Sequence, residues 1–175
     1  MSTLFVENTP EVDGWLARRR ELGLDKKDEV WEGVYHVTPY EHARNGRVKA
    51  QLTRMLYDLA EDAGLVPNDS FNLGEPRDFR VPDMGFVEAS EEPRQYMTTA
   101  ALVVEMLSPG DETFAKFDFY AGHGVQEVWV VDPLTTSVRI WQLREDVLTE
   151  TGRSDLLGLT AASVAQRLVW PRVTP

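Results

Sequence analysis

Residues 81–120 read VPDMGFVEASEEPRQYMTTAALVVEMLSPGDETFAKFDFY, and this stretch predicts the centre of the fold. Within it, residues 101–107 form a continuous apolar run of the kind found in a buried strand, yet the run contains Glu105. A shorter apolar run begins directly after Asp83, and a Ser-Pro-Gly breaker leads into a helical stretch that carries Lys116. Two acids on adjacent strands with a lysine close behind are what a metal-dependent phosphodiesterase needs.

The segments on either side complete an α/β pattern. A strand pair with a tight bend or a bulge at Gly33 is predicted over residues 26–37. Residues 65–80 read as a strand and a turn, and Phe79-Arg80-Val81 begins the next strand. Apolar spacing predicts helices over residues 11–20, 41–63, 111–121 and 161–168, a strand hairpin over 125–131 and 137–143, and an edge strand over 147–150. We therefore expect an α/β fold whose mixed central sheet is flanked by helices, with the strands of Asp83 and Glu105 at its centre.

Length and composition set the broad class of the protein. With 175 residues and 42% hydrophobic content, we expect one domain over residues 1–175, with residues 1–10 as a loose arm. The chain has no cysteine, which excludes disulfides and thiolate metal sites. The N-terminal stretch lacks a secretory pattern and no stretch is long enough to cross a membrane, so we expect a cytoplasmic protein.

The charge balance is strongly acidic. Asp and Glu outnumber Lys and Arg by 29 to 18, for a formal net charge of -11. Such an excess, spread evenly, repels polyanions and disfavours tight nonspecific binding to nucleic acid. A carboxylate-rich Mg²⁺ site on an ordinary acidic surface would give the same balance.

Several short stretches occur in an order that resembles a known family. They are Trp31-Glu32-Gly33, Pro82-Asp83, LVVEMLSP over residues 102–109, Lys116, Tyr120, GVQEVWVVDP over residues 124–133, and Leu157-Gly158-Leu159. On these residues the chain resembles the Uma-two family of putative restriction endonucleases, within the PD-(D/E)XK nuclease superfamily. The resemblance runs from about residue 29 onward.

This resemblance implies a restriction-endonuclease-like fold and Mg²⁺-dependent cleavage of DNA phosphodiester bonds, with Mn²⁺ as an alternative ion. Asp83 matches the motif aspartate and Glu105 the motif acid; both would bind the metal, helped by the backbone carbonyl of Met106. The motif lysine expected two residues after Glu105 is replaced by Leu107. Lys116 matches a lysine that the family carries on the following helix, and it would stabilise the charge formed during cleavage.

Each candidate also has a structural explanation. A carboxylate such as Asp83 is common at a turn after proline, whereas Glu105 stands in an apolar strand where an unpaired charge is expensive. Lys116 could equally be a solvated helix residue. Three further side chains could line the site without binding the metal: His42, Tyr120 and Glu32. Their alternatives are a helix cap, a core residue and an exposed strand residue, respectively.

The sequence leaves the function open between three classes. The first is an endonuclease, for which a homodimer would let so small a domain cut both DNA strands. The second is a catalytically silent binding or scaffold module, favoured by the acidic charge and by Leu107. The third is a hydrolase of a small phosphorylated substrate. A closed pocket beside Glu105 would favour this class, whereas a positive groove there would favour nucleic acid.

Overall fold

The computed structural model describes residues 4–6, 10–39, 41–110 and 112–172. Its four α-helices are α1 (Pro10–Glu21), α2 (Ala43–Asp62), α3 (Phe117–Gly122) and α4 (Ala161–Arg167), and a short 3₁₀ helix, Thr113–Lys116, directly precedes α3. Its strands are β1 (Leu4–Val6), β2 (Glu29–Trp31), β3 (Val34–Val37), β4 (Leu65–Asn68), β5 (Asn72–Glu75), β6 (Asp78–Arg80), β7 (Met84–Glu88), β8 (Tyr96–Met97), β9 (Leu102–Met106), β10 (Glu127–Asp132), β11 (Ser137–Arg144) and β12 (Val147–Glu150).

These strands form two six-stranded sheets. The first sheet has the order β1-β3-β2-β6-β5-β8, and the second has the order β12-β11-β10-β9-β7-β4. Both are mixed, because β5 pairs in parallel with β8 and β9 pairs in parallel with β10, whereas the other pairs are antiparallel. The predicted α/β fold with a mixed central sheet is confirmed, and the second sheet is that central sheet.

The second sheet is buried on both faces, which explains the continuous apolar sequence of its central strands. Side chains alternate between the faces of a strand. On β9, Val104 packs on the face covered by α2 and α4, whereas Val103 packs on the face covered by α3 and part of the first sheet. Glu105 follows the same alternation as Val103 and therefore points toward α3. The period of the strand thus directs the one acid of this run toward the helix that follows it.

Helix α2 packs its apolar stripe against the second sheet. Val48, Leu52, Leu56 and Ala60, spaced four residues apart, are all buried. The helix begins after His42, whose Nδ1 accepts a hydrogen bond of 3.2 Å from the backbone N–H of Arg44. This cap fixes the first turn of α2, and that turn borders the site described below.

Three predictions about the fold need correction. Residues 65–80 contain three strands, β4, β5 and β6, where we expected one strand and a turn ahead of a strand beginning at Phe79. The additional strand is β5, whose pairing with β6 overrides the weak strand preference of Asn72 and Gly74. The expected helix over residues 111–121 is a 3₁₀ turn followed by a short α-helix that ends at Gly122, and Asp111 lies outside the described residues. Leu4–Val6 are not a loose arm, because they pair with β3; the rest of residues 1–9 also lies outside the described residues.

Across the described part of the chain, no helix is long and apolar enough to cross a membrane.

Candidate functional site

A cavity of about 280 Å³ lies where the first turn of α2, the strands β2 and β9 and the 3₁₀ turn meet. Apolar and polar side chains both line it, and its charged lining is mostly acidic. The charged lining residues are Glu29, Glu41, Asp83, Glu105 and Glu112 on the acidic side, and Lys27, Arg44 and Lys116 on the basic side. The predicted residues Asp83, Glu105 and Lys116 therefore border one cavity.

Asp83 and Glu105 are brought together by the pairing of their strands. Met84 on β7 is the register partner of Val104 on the antiparallel strand β9, so the residue before Met84 lies beside the residue after Val104. The Oδ2 atom of Asp83 accepts a hydrogen bond of 2.8 Å from the backbone N–H of Met106. This bond holds the carboxylate of Asp83 against the end of β9, next to Glu105.

Lys116 reaches the two buried glutamates of the site. Its Nζ lies 2.8 Å from Oε1 of Glu29 and 3.1 Å from Oε1 of Glu105. Both carboxylates are almost fully buried, with side-chain exposures of 5% and 4%. Tyr120, one helical turn after Lys116, donates its hydroxyl hydrogen to the same oxygen of Glu105. The 3₁₀ turn and α3 thus supply a cation and a hydroxyl donor to one carboxylate.

Burial and charge shift the pKa values of these groups in different directions. Loss of water around Glu105 raises its pKa to about 7; the charges of Asp83 and Glu29 add to this, whereas Lys116 and the Tyr120 hydrogen bond oppose it. Burial alone would lower the pKa of Lys116, but the Glu105 and Glu29 carboxylates raise it well above its usual range. Burial and the same carboxylates raise the pKa of the Tyr120 hydroxyl. These shifts favour the charged form of Lys116 and place the pKa of Glu105 near neutral pH.

Two more lysines pair with acids that line the cavity. Lys27 Nζ lies 3.2 Å from Oδ1 of Asp83. Lys49, on α2, lies 3.5 Å from Oε2 of Glu41 and 3.1 Å from Oδ1 of Asp69. Desolvation lowers the pKa of Lys49, yet Asp69 and Glu41 raise it by more. Lysines from three different segments thus pair with acids of the cavity lining, which keeps an excess of carboxylates.

Glu29 is a site residue that the sequence analysis missed. It lies on β2, and its Oε1 also accepts a hydrogen bond of 2.8 Å from the backbone N–H of Val81. Its Oε2 accepts one of 2.7 Å from the indole of Trp31, two residues along on the same face of the strand. The sequence pattern that could have identified Glu29 is the alternation along β2: Glu29 and Trp31 lie on one face of the strand, and the buried Val30 lies on the other.

The expectation for Glu32 is wrong, because it does not line the cavity. Glu32 and Gly33 form the two-residue turn between β2 and β3, both with positive φ, and the side chain of Glu32 is exposed. Its backbone N–H donates to Asp78 Oδ1 at 3.0 Å. A turn of this type directs residue 32 away from the strand face that carries Glu29.

The other two residues expected around the site do border it. His42 lines the cavity and also caps α2, so the structural alternative given for it is correct as well. Tyr120 is fully buried and contacts Glu105 directly. Met106, whose carbonyl we expected to assist metal binding, lines the cavity and contributes its N–H to Asp83.

The donor chemistry of the site fits a hard divalent cation. Asp83, Glu105 and Glu29 offer carboxylate oxygens, which Mg²⁺ and Mn²⁺ prefer, and the ion ordinarily keeps several waters. Among the residues that the structure describes, no three His, Asp or Glu side chains converge closely enough to hold a metal ion together. Lys27 pairs with Asp83 and Lys116 with Glu29 and Glu105, so a divalent ion that binds these carboxylates competes with lysine ammonium groups.

The family model Uma2, described as "Putative restriction endonuclease", matches residues 17–165. No curated protein matches the sequence. A crystal structure of "a putative nuclease belonging to DUF820" from Anabaena variabilis ATCC 29413 superposes with a TM-score of 0.64 at 13% identity, covering 81% of this chain and 91% of that one. A cryo-EM structure of a DrdV–DNA complex gives a TM-score of 0.40 at 16% identity, covering 69% of this chain and 11% of that one.

Proposed function

This chain belongs to the Uma2 family, described as "Putative restriction endonuclease", and on that basis we propose that it cleaves DNA phosphodiester bonds with the help of a bound divalent metal ion. The proposal includes membership of the PD-(D/E)XK superfamily. The observation that carries it is the meeting of Asp83, Glu105 and Lys116 at one cavity, with Lys116 Nζ 3.1 Å from Glu105. Position 107 holds no lysine, and Lys116 supplies the cation from the 3₁₀ turn.

Asp83 and Glu105 are the proposed ligands of Mg²⁺ or Mn²⁺, with Glu29 and the Met106 carbonyl beside them. When bound, such an ion polarises a phosphoryl oxygen and lowers the pKa of a coordinated water. The N–H of Met106 fixes the carboxylate of Asp83. The hydroxyl of Tyr120 and the ammonium of Lys116 fix that of Glu105. These contacts keep both acids in place before substrate arrives.

Lys116 has the proposed role of stabilising the negative charge that builds on the phosphoryl group. Its raised pKa keeps the ammonium charged throughout the neutral range. Because it lies in a largely buried position, its charge is poorly screened by water and acts strongly on a nearby anion. Loss of this charge should slow cleavage without removing the metal ligands.

The acidic lining makes DNA binding dependent on the metal. Five carboxylates against three Lys or Arg side chains line the cavity, so the lining repels phosphate until a divalent ion offsets it. Two copies of the chain acting together would cut both strands, and a homodimer is part of this proposal.

The test is cleavage of long double-stranded DNA of mixed sequence with Mg²⁺, with Mn²⁺ and with excess chelator. We expect metal-dependent cutting by wild type, loss of cutting in Asp83→Asn, and at least a hundredfold loss in Lys116→Met. Asp118→Asn is the matched control for Asp83→Asn, because it makes the same change at an exposed position of α3. Cutting that survives Asp83→Asn would refute the proposed site.

A second candidate function is hydrolysis of a small phosphorylated substrate. The small volume of about 280 Å³ and the acidic lining favour a small substrate over a polyanion. Release of inorganic phosphate from nucleotides and sugar phosphates, measured with the same variants, distinguishes the two. Activity on these compounds without DNA cleavage would select the second function.

A further inference from the structure

Lys27 occupies the position at Asp83 where a metal ion would bind. We propose that Lys27 pairs with Asp83 while the site holds no metal, and that it moves to a phosphate of the substrate once a divalent cation takes its place. This inference rests on the function proposed above and adds a substrate-binding residue to that site.

The two oxygens of the Asp83 carboxylate have different partners. Oδ2 accepts the backbone N–H of Met106 at 2.8 Å and is fixed to the end of β9. Oδ1 lies 3.2 Å from Nζ of Lys27. An ammonium group at Oδ1 identifies this oxygen as the one where a cation is already favourable. A metal ion that binds Asp83 at Oδ1 must therefore displace Lys27.

Lys27 is held less firmly than the other lysine of the site. Lys116 lies between two carboxylates at 2.8 and 3.1 Å, and its side chain is 13% exposed. Lys27 makes a longer contact to one carboxylate that is itself 21% exposed, and its own side chain is 25% exposed. A partly solvated ion pair of this kind contributes little stability. The flexible stem of lysine lets the ammonium move away without a change in the backbone.

A phosphate is the partner that suits the displaced ammonium. Lys27 lines the same cavity as Glu105 and Lys116, so it stays within the site after leaving Asp83. The nearby carboxylate of Asp69 already pairs with Lys49 at 3.1 Å, which makes it a weaker competitor. Lysine binds phosphate as a point charge and needs no fixed geometry. The exchange would bring one positive charge to the substrate each time a metal ion enters.

The exchange predicts effects of opposite sign in two binding experiments on Lys27→Met. Without DNA, calorimetric titration with Mn²⁺ and Mg²⁺ should show metal affinity raised by about tenfold over wild type, because a competing cation has been removed. With Ca²⁺ bound, affinity for a short DNA duplex should fall, and the slope of log affinity against log salt should decrease by about one. Lys26→Met, which removes the same charge from the neighbouring exposed residue, should change neither result.

The outcomes separate this inference from the proposed function. If wild type binds metal, Asp83→Asn does not, and Lys27→Met binds no more tightly than wild type, the inference fails and the metal site stands. Tighter metal binding by Lys27→Met with unchanged duplex affinity would refute the move to phosphate. If neither wild type nor Lys27→Met binds Mn²⁺ or Mg²⁺, both the inference and the metal-dependent function are wrong. Binding of metal by Lys27→Met alone would support the displacement directly.

Discussion

Lys116 Nζ donates a hydrogen bond of 2.8 Å to Oε1 of Glu29 across a sequence separation of 87 residues. Glu29 belongs to the first sheet, whereas Glu105, the other carboxylate bound by Lys116, belongs to the second. One ammonium group thus joins the two sheets at the candidate site. The site and the packing of the sheets are therefore coupled, and several measurable consequences follow from this coupling.

Removing the charge of Lys116 should destabilise the fold. Lys116→Met leaves the buried carboxylates of Glu29 and Glu105 without their shared cation, and we expect a loss of about 3–5 kcal/mol in the free energy of unfolding. Denaturant titration measures it. Adding Glu105→Gln to the same chain should recover part of the loss, since one uncompensated charge is removed. A loss no greater than that of the exposed control Lys26→Met would contradict the coupling.

Stability should depend on pH through Glu105. Its folded-state pKa of about 7 lies above the ordinary 4.5, so the folded protein binds this proton more tightly than the unfolded chain does. The resulting stabilisation is complete below pH 4.5 and is lost as the pH rises through 7, by about 3 kcal/mol in all. In Glu105→Gln this component should be absent. Unfolding curves of the two proteins that run parallel from pH 4.5 to 7.5 would show that Glu105 has an ordinary pKa.

The hydroxyl of Tyr120 should lower the pKa of Glu105. Tyr120→Phe removes the hydrogen bond that lowers the pKa of Glu105, so that pKa should rise further. The variant should also lose about 1 kcal/mol of stability. The pKa of the carboxyl can be followed by carbon NMR of labelled glutamate. An unchanged midpoint would mean that the hydroxyl does not bind the ionised carboxylate.

A third buried glutamate should prove structural. Glu127, on β10 beside β9, accepts hydrogen bonds through Oε1 from the backbone N–H groups of Asp155 at 2.7 Å and Leu156 at 3.1 Å. Glu127→Ala leaves both donors without this acceptor and should cost about 3 kcal/mol. Its metal affinity, measured by calorimetry below the unfolding temperature, should equal that of wild type. Weaker metal binding in the folded variant would assign Glu127 to the site instead.

The turn between β2 and β3 should be more stable with asparagine at position 32 than with Glu32. Glu32 has φ of 49° and precedes Gly33 with φ of 88°, the backbone that favours Asn-Gly in a two-residue hairpin turn. Glu32→Asn should therefore stabilise the protein by about 0.5 kcal/mol and leave DNA cleavage unchanged. Glu32→Gln is the control for loss of charge and should have no effect on stability. Slower cleavage by either variant would restore Glu32 to the site.

The acids of the central sheet were predictable because a local rule decides their position. An unpaired charge in an apolar strand is costly, which singled out Glu105, and adjacent pairing of its strand with β7 brings Asp83 beside it. Lys116 was predictable because only a short connection separates the end of β9 from the 3₁₀ turn that carries it. These contacts join residues that are close in sequence, and all of them lie within residues 81–120.

The contributions from the first sheet were not predictable in the same way. The alternation around Val30 indicates that Glu29 and Trp31 share a strand face, but it does not encode how the first sheet docks. The roles of Glu29 and Lys27 at the site depend on that docking. The alternation of Val30 and Val34 drew attention to Glu32, but the two-residue turn between them changes which face is buried. Because the two-residue alternation does not continue across this turn, it predicts Glu32 in place of Glu29 as the acid that faces the site. Strand β5 was missed for a related reason, since its pairing with β6 stabilises it.

The link that Lys116 makes between the two sheets also bears on the synthesis of the protein. The chain leaves the ribosome from its N-terminus, so Glu29 and Asp83 emerge long before Lys116 and Tyr120. A nascent chain that stops short of residue 116 carries acids from both sheets but no ammonium group to bring Glu29 and Glu105 together. For a protein proposed to cut DNA, a chain that ends before residue 116 therefore lacks the cation that the proposed site places between Glu29 and Glu105.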